Sequence, residues 1–377
     1  MLYHTIRRAP AIAALALLSL SCQNNRQQPQ QTASLKETFQ DDFLIGTALG
    51  IRQIDQADKP TDTLIQRQFN AITAENVMKA EIIHPQWGQF DFDAADKFVA
   101  YGSQHGMYTV GHTLIWHSQL PPFVKDITSA DSLRQFMDLH IHTTAKRYAS
   151  TIDSWDVVNE ALNEDGSWRE SIFYNLLGET YIVDAFRLAA DAAPDAKLYY
   201  NDYNIEQPQK RAGTIRLIKK LQAAGVRIDG VGIQGHWHTG KLQFDAIEQS
   251  ILEYAALGLE VAITELDLEV LPRNFQGADI AGATKGPTAD NLGLNPYVHG
   301  LPDSVQQQQA SDYEQLFRLF LKHKDKISRV TFWGVNDNQS WLNNWPVAGR
   351  TNYPLVFDRG NRPKEAFFKI IGVKNAP

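Results

Sequence analysis

The chain has 377 residues, with 36 Lys and Arg against 43 Asp and Glu, 43 % hydrophobic residues, 8 Trp, 13 Tyr and a single Cys. That length and apolar content suffice for a substantial core, as one large α/β barrel with insertions or as two ordinary domains, and exclude a disordered or collagen-like chain. The net charge of −7 and the lack of a Lys/Arg cluster able to follow a phosphate backbone argue against nucleic acid as a partner.

Residues 1–22 read as an export signal. Arg7 and Arg8 precede an apolar run from Ala9 to Leu20, too short for a stable membrane-spanning helix but of the right length for a secretory core. Cys22 follows directly, as in a bacterial lipoprotein signal whose Cys becomes the lipidated N-terminus. Ser19 stands at the −3 position where Leu is usual, and an ordinary signal peptide with an incidental Cys is the alternative. Without residues 1–21, which hold two Arg and no acid, the charge is −9. Residues 23–34 are polar and Gln-rich, so a flexible tether is expected over 23–38 and a folded domain over 39–373. The expected protein is exported and holds no disulfide. It is lipid-anchored in the bacterial outer membrane, facing the periplasm or the cell surface, or else is secreted; the membrane contact is the lipid alone.

Along the rest of the chain a pattern of about 25 to 45 residues recurs: a short apolar run, a polar or aromatic cluster, then an amphipathic stretch. The runs are Phe43–Leu49, Ala71–Asn76, Thr109–Trp116, Ser154–Glu160, Leu198–Asn204, Gly230–His236, Glu260–Asp267 and Arg329–Asp337, eight in all. Between them, Leu133, Phe136, Met137, Ile141, Ala145 and Tyr148 trace one helical face, and Ile215, Ile218, Leu221 and Ala224 another. Asp245 and Glu248 have capping-box spacing, with Gly258 as a stop. Eight strands alternating with helices predict a single-domain α/β fold, a (β/α)₈ TIM barrel. An open doubly wound sheet is the alternative, without a glycine-rich phosphate loop after the first strand to support it. The segment 272–310 is the longest irregular stretch, and its place after run seven puts it over the C-terminal face.

In a barrel the active site lies where strands end. The run ends are Glu75–Asn76, His112–Trp116–His117, Asn159–Glu160, Asn201–Tyr203, Gln234–His236, Glu265–Asp267 and Trp333–Asn336. Acids, amides, His and Trp converge there. Glu160 and Glu265 lie three strands apart, able to face each other across the barrel mouth. Paired carboxylates without a metal cage point to glycoside hydrolysis, in which one acid protonates the leaving oxygen and the other attacks the anomeric carbon or activates water. The His-x-His pairs at 140–142 and 236–238 do not make a metal site. His140 and His142 diverge within a helix, and no Cys or acid cluster completes a tetrahedral set, so neither metal nor cofactor is expected. His140, on the apolar face, reads as a core histidine.

The motifs FNAITAENVMKAEIIHP, GHTLIWHSQLP, WDVVNEAL, GIQGHWH, ITELD and FWGVNDNQSWL closely resemble, in order and over about residues 40–372, the family 10 glycoside hydrolases, the β-1,4-xylanases. The resemblance implies an endo-1,4-β-xylanase that acts with retention of configuration, with Glu160 as acid/base and Glu265 as nucleophile. It implies that His236 and Asp267 form a network around the nucleophile, that Asn159 binds the sugar 2-hydroxyl and that Gln234 partners the acid/base. It places Glu75, Asn76, Lys79, His112, Trp116 and Gln119 on the glycone side, and Trp333 and Trp341 as an aromatic roof. Tyr203 is expected on the aglycone side, and Trp345 in the core. The expected partner is xylan or its oligosaccharides, met by a monomer. Two other readings stay open at this point: a non-catalytic carbohydrate-binding lipoprotein on a glycosidase barrel, against which the intact glutamate pair argues, and a cellulase or mannanase on the same scaffold.

Overall fold

In the computed structural model of this chain, residues 1–2, 34–273 and 293–374 are described. The expected signal, Cys22 and much of the 272–310 segment lie outside them. The described residues from 34 onward make one compact unit.

Eight strands run parallel in a closed ring: β1 (Leu44–Leu49), β2 (Ala71–Ala74), β3 (Tyr108–Trp116), β4 (Ser154–Asn159), β5 (Lys197–Asp202), β6 (Gly230–Ile233), β8 (Glu260–Glu269) and β9 (Ile327–Phe332). Pairing of β6 with β8 and of β9 with β1 closes it. A three-residue strand, β7 (His236–His238), pairs with the far end of β8 above the ring. The strands are buried along nearly their whole length, which is why they read as apolar runs rather than as alternating patterns. Large side chains pack on both faces of the strands. Trp155 lies where a Cβ on Gly111 would come within 2.3 Å of its ring, and Tyr199 stands in the same relation to Gly230 at 2.2 Å, so both positions require glycine. Arg329 on β9 is fully buried and meets residues of the opposite strands, with its guanidinium 4.6 Å from the Tyr199 ring centroid and 4.0 Å from Asp156.

Helices surround the ring. Ala130–Arg147 buries Leu133, Phe136, Met137, Ile141 and Ala145, the predicted face, with Ser129 capping its N-terminus. His140 lies on that face, stacked on Phe136 and His84, and burial pulls its pKa down to about 3. Four expectations need correction. Residues 35–38 are not tether but a helical turn capped by Ser34, with Leu35 fully buried. The 272–310 segment does not stay irregular to its end, because a helix starts at Asp303. In Pro208–Ala223 the buried face is Lys210, Gly213, Thr214, Leu217, Ile218 and Leu221, while Ala224 is exposed; Gly213 packs against Gly166, and small or polar contacts of that kind carry no hydrophobic signal. Asp245 does not cap Phe244–Ala255, where Gln243 takes the N-cap position, and Glu248 instead binds Lys322 at 2.5 Å and His323 at 2.7 Å.

Candidate active site

The C-terminal ends of the strands open into a cleft of about 130 Å³ lined by Glu75, Asn76, Lys79, His112, Trp116, Gln119, Asn159, Glu160, Gln234, His236, Glu265, Trp333 and Trp341. A larger cavity of about 570 Å³ lies elsewhere, lined by Trp168, Tyr174, Glu170, Glu179 and Lys220 among others, but it offers no pair of free acids, since Glu179 is tied to Lys220 at 2.5 Å.

Glu160 follows β4 directly and takes a left-handed backbone, φ 57°. For an L-residue that costs roughly 1–2 kcal/mol, so surrounding contacts must hold it. Its Oε2 accepts from Trp116 Nε1 at 2.9 Å, and its Oε1 from Gln234 Nε2 at 3.1 Å and Asn159 Nδ2 at 3.3 Å. Glu265, within β8, accepts at Oε1 from Asn201 Nδ2 at 2.7 Å, and its Oε2 lies 3.1 Å from His236 Nε2. Both carboxylates are buried, and amides connect them. Asn159 Oδ1 accepts from Asn201 at 3.0 Å and from Gln234 at 3.2 Å, so a chain of side-chain amides runs from one glutamate to the other. Thr264 donates to Asn201 Oδ1 at 2.6 Å and fixes which way that amide faces.

His236 Nδ1 lies 3.1 Å from Asp267 Oδ2. Burial alone favours a neutral ring, but Asp267 and Glu265 outweigh it and push His236 up to about 10. The ring is therefore a cation at neutral pH, flanked by two acids. Asp267 also accepts from Trp341 Nε1 at 2.8 Å, which ties that indole to the network under Glu265. Trp341 in turn stacks on Trp345, centroids 4.5 Å apart, and that loop is anchored by the buried pair of Arg350 with Glu269 at 2.7 Å. Trp345 is buried, as expected.

On the other wall, Lys79 donates to Asn76 Oδ1 at 3.0 Å and to Gln119 Oε1 at 2.8 Å, and lies 4.7 Å from the Trp116 ring centroid. Gln119 donates to Glu81 at 2.7 Å. Burial raises the Glu75 pKa and lowers that of Lys79, and each opposes the other's shift through its charge. His112 is oriented by Asp156 Oδ2, 2.9 Å from its Nδ1, and meets the Trp333 ring edge-on at 5.3 Å. Such a site offers aromatic faces to the C–H patches of a pyranose and polar groups to its hydroxyls.

Two sequence-predicted residues stand apart from the cleft wall. Asp267 acts behind it, through His236 and Trp341. Tyr203 is buried in a small cluster with Leu342 and Trp345, its ring 3.6 Å from Lys210 Nζ and its hydroxyl accepting from Arg169 at 2.8 Å. Conversely, Asn201, Thr264 and Asp156 orient the groups that face the cleft, and sequence reasoning gave them no role. Asn201 stood among the strand ends, and its polarity in an otherwise apolar run was the available signal.

Comparison with known proteins agrees with this geometry. Residues 34–373 match Glycosyl hydrolase family 10. The chain is 42 % identical over 350 residues to endo-1,4-beta-xylanase A of Xylanibacter ruminicola, covering 91 % of this chain and 94 % of that one. It is 38 % identical over 346 residues to endo-1,4-beta-xylanase B of Paenibacillus barcinonensis, covering 90 % and 98 %. A GH10 endoxylanase retrieved from a sugarcane soil metagenome superposes with a TM-score of 0.84 at 44 % identity, over 91 % of this chain and 99 % of that one. With the ring of eight strands and two buried glutamates on one cleft, these matches lead to a single assignment: the chain belongs to glycosyl hydrolase family 10.

Proposed function

We propose that this chain is an endo-1,4-β-xylanase that cleaves internal β-1,4-xylosidic bonds of xylan with retention of configuration. The observation that carries the reading is the pair Glu160 and Glu265, each bound at both carboxylate oxygens and linked through Asn159, Asn201 and Gln234 beside Trp333 and Trp341. Glu265 attacks the anomeric carbon while Glu160 gives its proton to the leaving oxygen; Glu160 then takes a proton from the water that releases the glycosyl group. Asn201 and His236 hold Glu265 at both carboxylate oxygens and so fix the direction from which it attacks. Glu265→Ala is expected to fold, with a cooperative melt, and to release no reducing ends from xylan; normal turnover refutes the assignment. Proton NMR of the first product is expected to show the β anomer, and the α anomer rules out the double displacement.

The protein acts as an exported monomer, anchored through a lipid on Cys22. Support comes from Arg7, Arg8 and the apolar run before Cys22, and from a cleft to which one chain contributes every group named above. Detergent partitioning of wild type and Cys22→Ala decides the anchor: the wild type is expected in the detergent phase and the variant in the aqueous one. Light scattering of the mature protein tests the monomer.

A further inference from the structure

The peptide group between Glu160 and Ala161 is gripped at both ends by side chains. Its carbonyl accepts from Arg169 Nε at 3.0 Å, and its N–H donates to the Tyr200 hydroxyl at 3.1 Å. Tyr200 spends its own proton on Asp202 Oδ2 at 2.6 Å, which leaves the oxygen's lone pairs for Ala161, and Asp202 is held by the buried Lys210 at 2.9 Å. Arg169 is fixed in turn by its backbone N–H to Ala161 O at 2.9 Å and by Nη2 to Tyr203. The preceding peptide is secured separately, from Glu160 N–H to Asn201 O at 2.9 Å.

We propose that Arg169 and Tyr200 are positioning residues for acid catalysis, whose task is to keep Glu160 in its left-handed conformation by fixing the plane of the peptide that follows it. With the preceding peptide held, a left-handed glutamate relaxes by rotation about its N–Cα bond, which swings Cβ and the following peptide together and carries the carboxyl away from Trp116 and Gln234 and from the leaving oxygen. Both side chains grip this peptide at backbone atoms, so that part of their effect passes through the backbone. This inference rests on Glu160 being the acid.

The test compares kcat/KM of wild type, Glu160→Ala, Tyr200→Phe and Arg169→Lys on phenyl and 2,4-dinitrophenyl β-xylobiosides. Phenolate needs a proton to depart and dinitrophenolate does not, so the two substrates separate proton donation from binding and nucleophilic attack. Glu160→Ala is expected to lose about 10²- to 10⁴-fold on the phenyl substrate and little on the dinitrophenyl one. Tyr200→Phe and Arg169→Lys are expected to follow the same selectivity at about 10-fold or more, as misplacement of a catalytic group does. A general structural defect lowers both rates alike. If the two losses differ by less than about threefold in both folded variants, the positioning role is overturned. If Glu160→Ala itself lacks the selectivity, the acid assignment fails first, and this inference with it. Tyr200→Phe removes one oxygen and Arg169→Lys keeps the charge while losing the fork, so either variant that melts cooperatively decides the matter.

Discussion

His236 and Glu265 face each other at 3.1 Å, and the imidazole is held as a cation by the acids on both its sides. A histidine whose pKa rises from 6.5 in the unfolded chain to about 10 when folded binds a proton more tightly in the native state. Its contribution to stability is therefore complete below pH 6.5, declines as the pH rises, and is gone once the pH has passed about 10. Urea melts from pH 6 to 11 are expected to show wild-type stability falling across that window. In His236→Gln the fall is shallower, so the two curves approach each other at the alkaline end. Parallel curves contradict a native-state proton on this ring.

The Trp341 indole presents a ring face to the cleft and an N–H to Asp267. Phe at this position keeps the face and deletes the donor, whereas Ala deletes both. Trp341→Phe is expected to lower kcat by up to about tenfold with little change in KM, because a hydrogen bond to a charged acceptor is worth about 1.5–3 kcal/mol and only part of it reaches the barrier. Trp341→Ala is expected to raise KM as well. Michaelis kinetics on xylo-oligosaccharides check both; equal kinetics of the two variants exclude the division of labour.

Leu35 is fully buried although it lies where the composition suggested tether. Leu35→Ala is expected to destabilise the folded unit by about 2–5 kcal/mol through lost burial and a residual cavity. Denaturant melts of the mature protein measure it, and an effect near zero means that this turn does not belong to the core.

Glu75, Asn76 and Lys79 line the cleft together with Trp333, and on the proposed function they set the choice of substrate. Xylose lacks the C5 hydroxymethyl group of glucose and mannose, and a crowded roof penalises that group. Initial rates are expected to fall from xylan to cello-oligosaccharides to mannan, with Trp333→Ala narrowing the gap between the first two. Comparable wild-type rates on all three remove the roof as a specificity element.

The eight strands were legible because strands covered on both faces are apolar throughout, and the helix Ala130–Arg147 was legible because its buried stripe is made of large apolar residues. The stripe of Pro208–Ala223 was not, because Lys210 is buried by its pairing with Asp202 and Gly213 by its contact with Gly166, both set by distant parts of the chain. The same holds within the site. Glu160 and Glu265 carry their chemistry in their identity, but Asn201 bears on the site through the bonds it makes to its neighbours, and a strand-end asparagine reads alike whether or not those bonds exist. Tyr203 shows the reverse: its place at the end of the fifth run put it on the aglycone side, whereas Lys210 and Arg169 hold it in the cluster beneath Trp341.

The ring's two glutamates divide its circumference unequally. Along the shorter arc, from β4 through β5 and β6 to β8, lie Asn159, Asn201, Gln234 and His236, which bind the carboxylates and one another. Along the longer arc, from β9 through β1 to β3, come Trp333, Glu75, Asn76, Lys79, His112 and Gln119, and Trp116 Nε1 is the contact by which that arc touches Glu160. Replacements on the longer arc other than Trp116 and Trp341 can therefore retune which sugar is held while the wiring of the acids stays intact. On one closed barrel, recognition and chemistry are free to diverge at different rates.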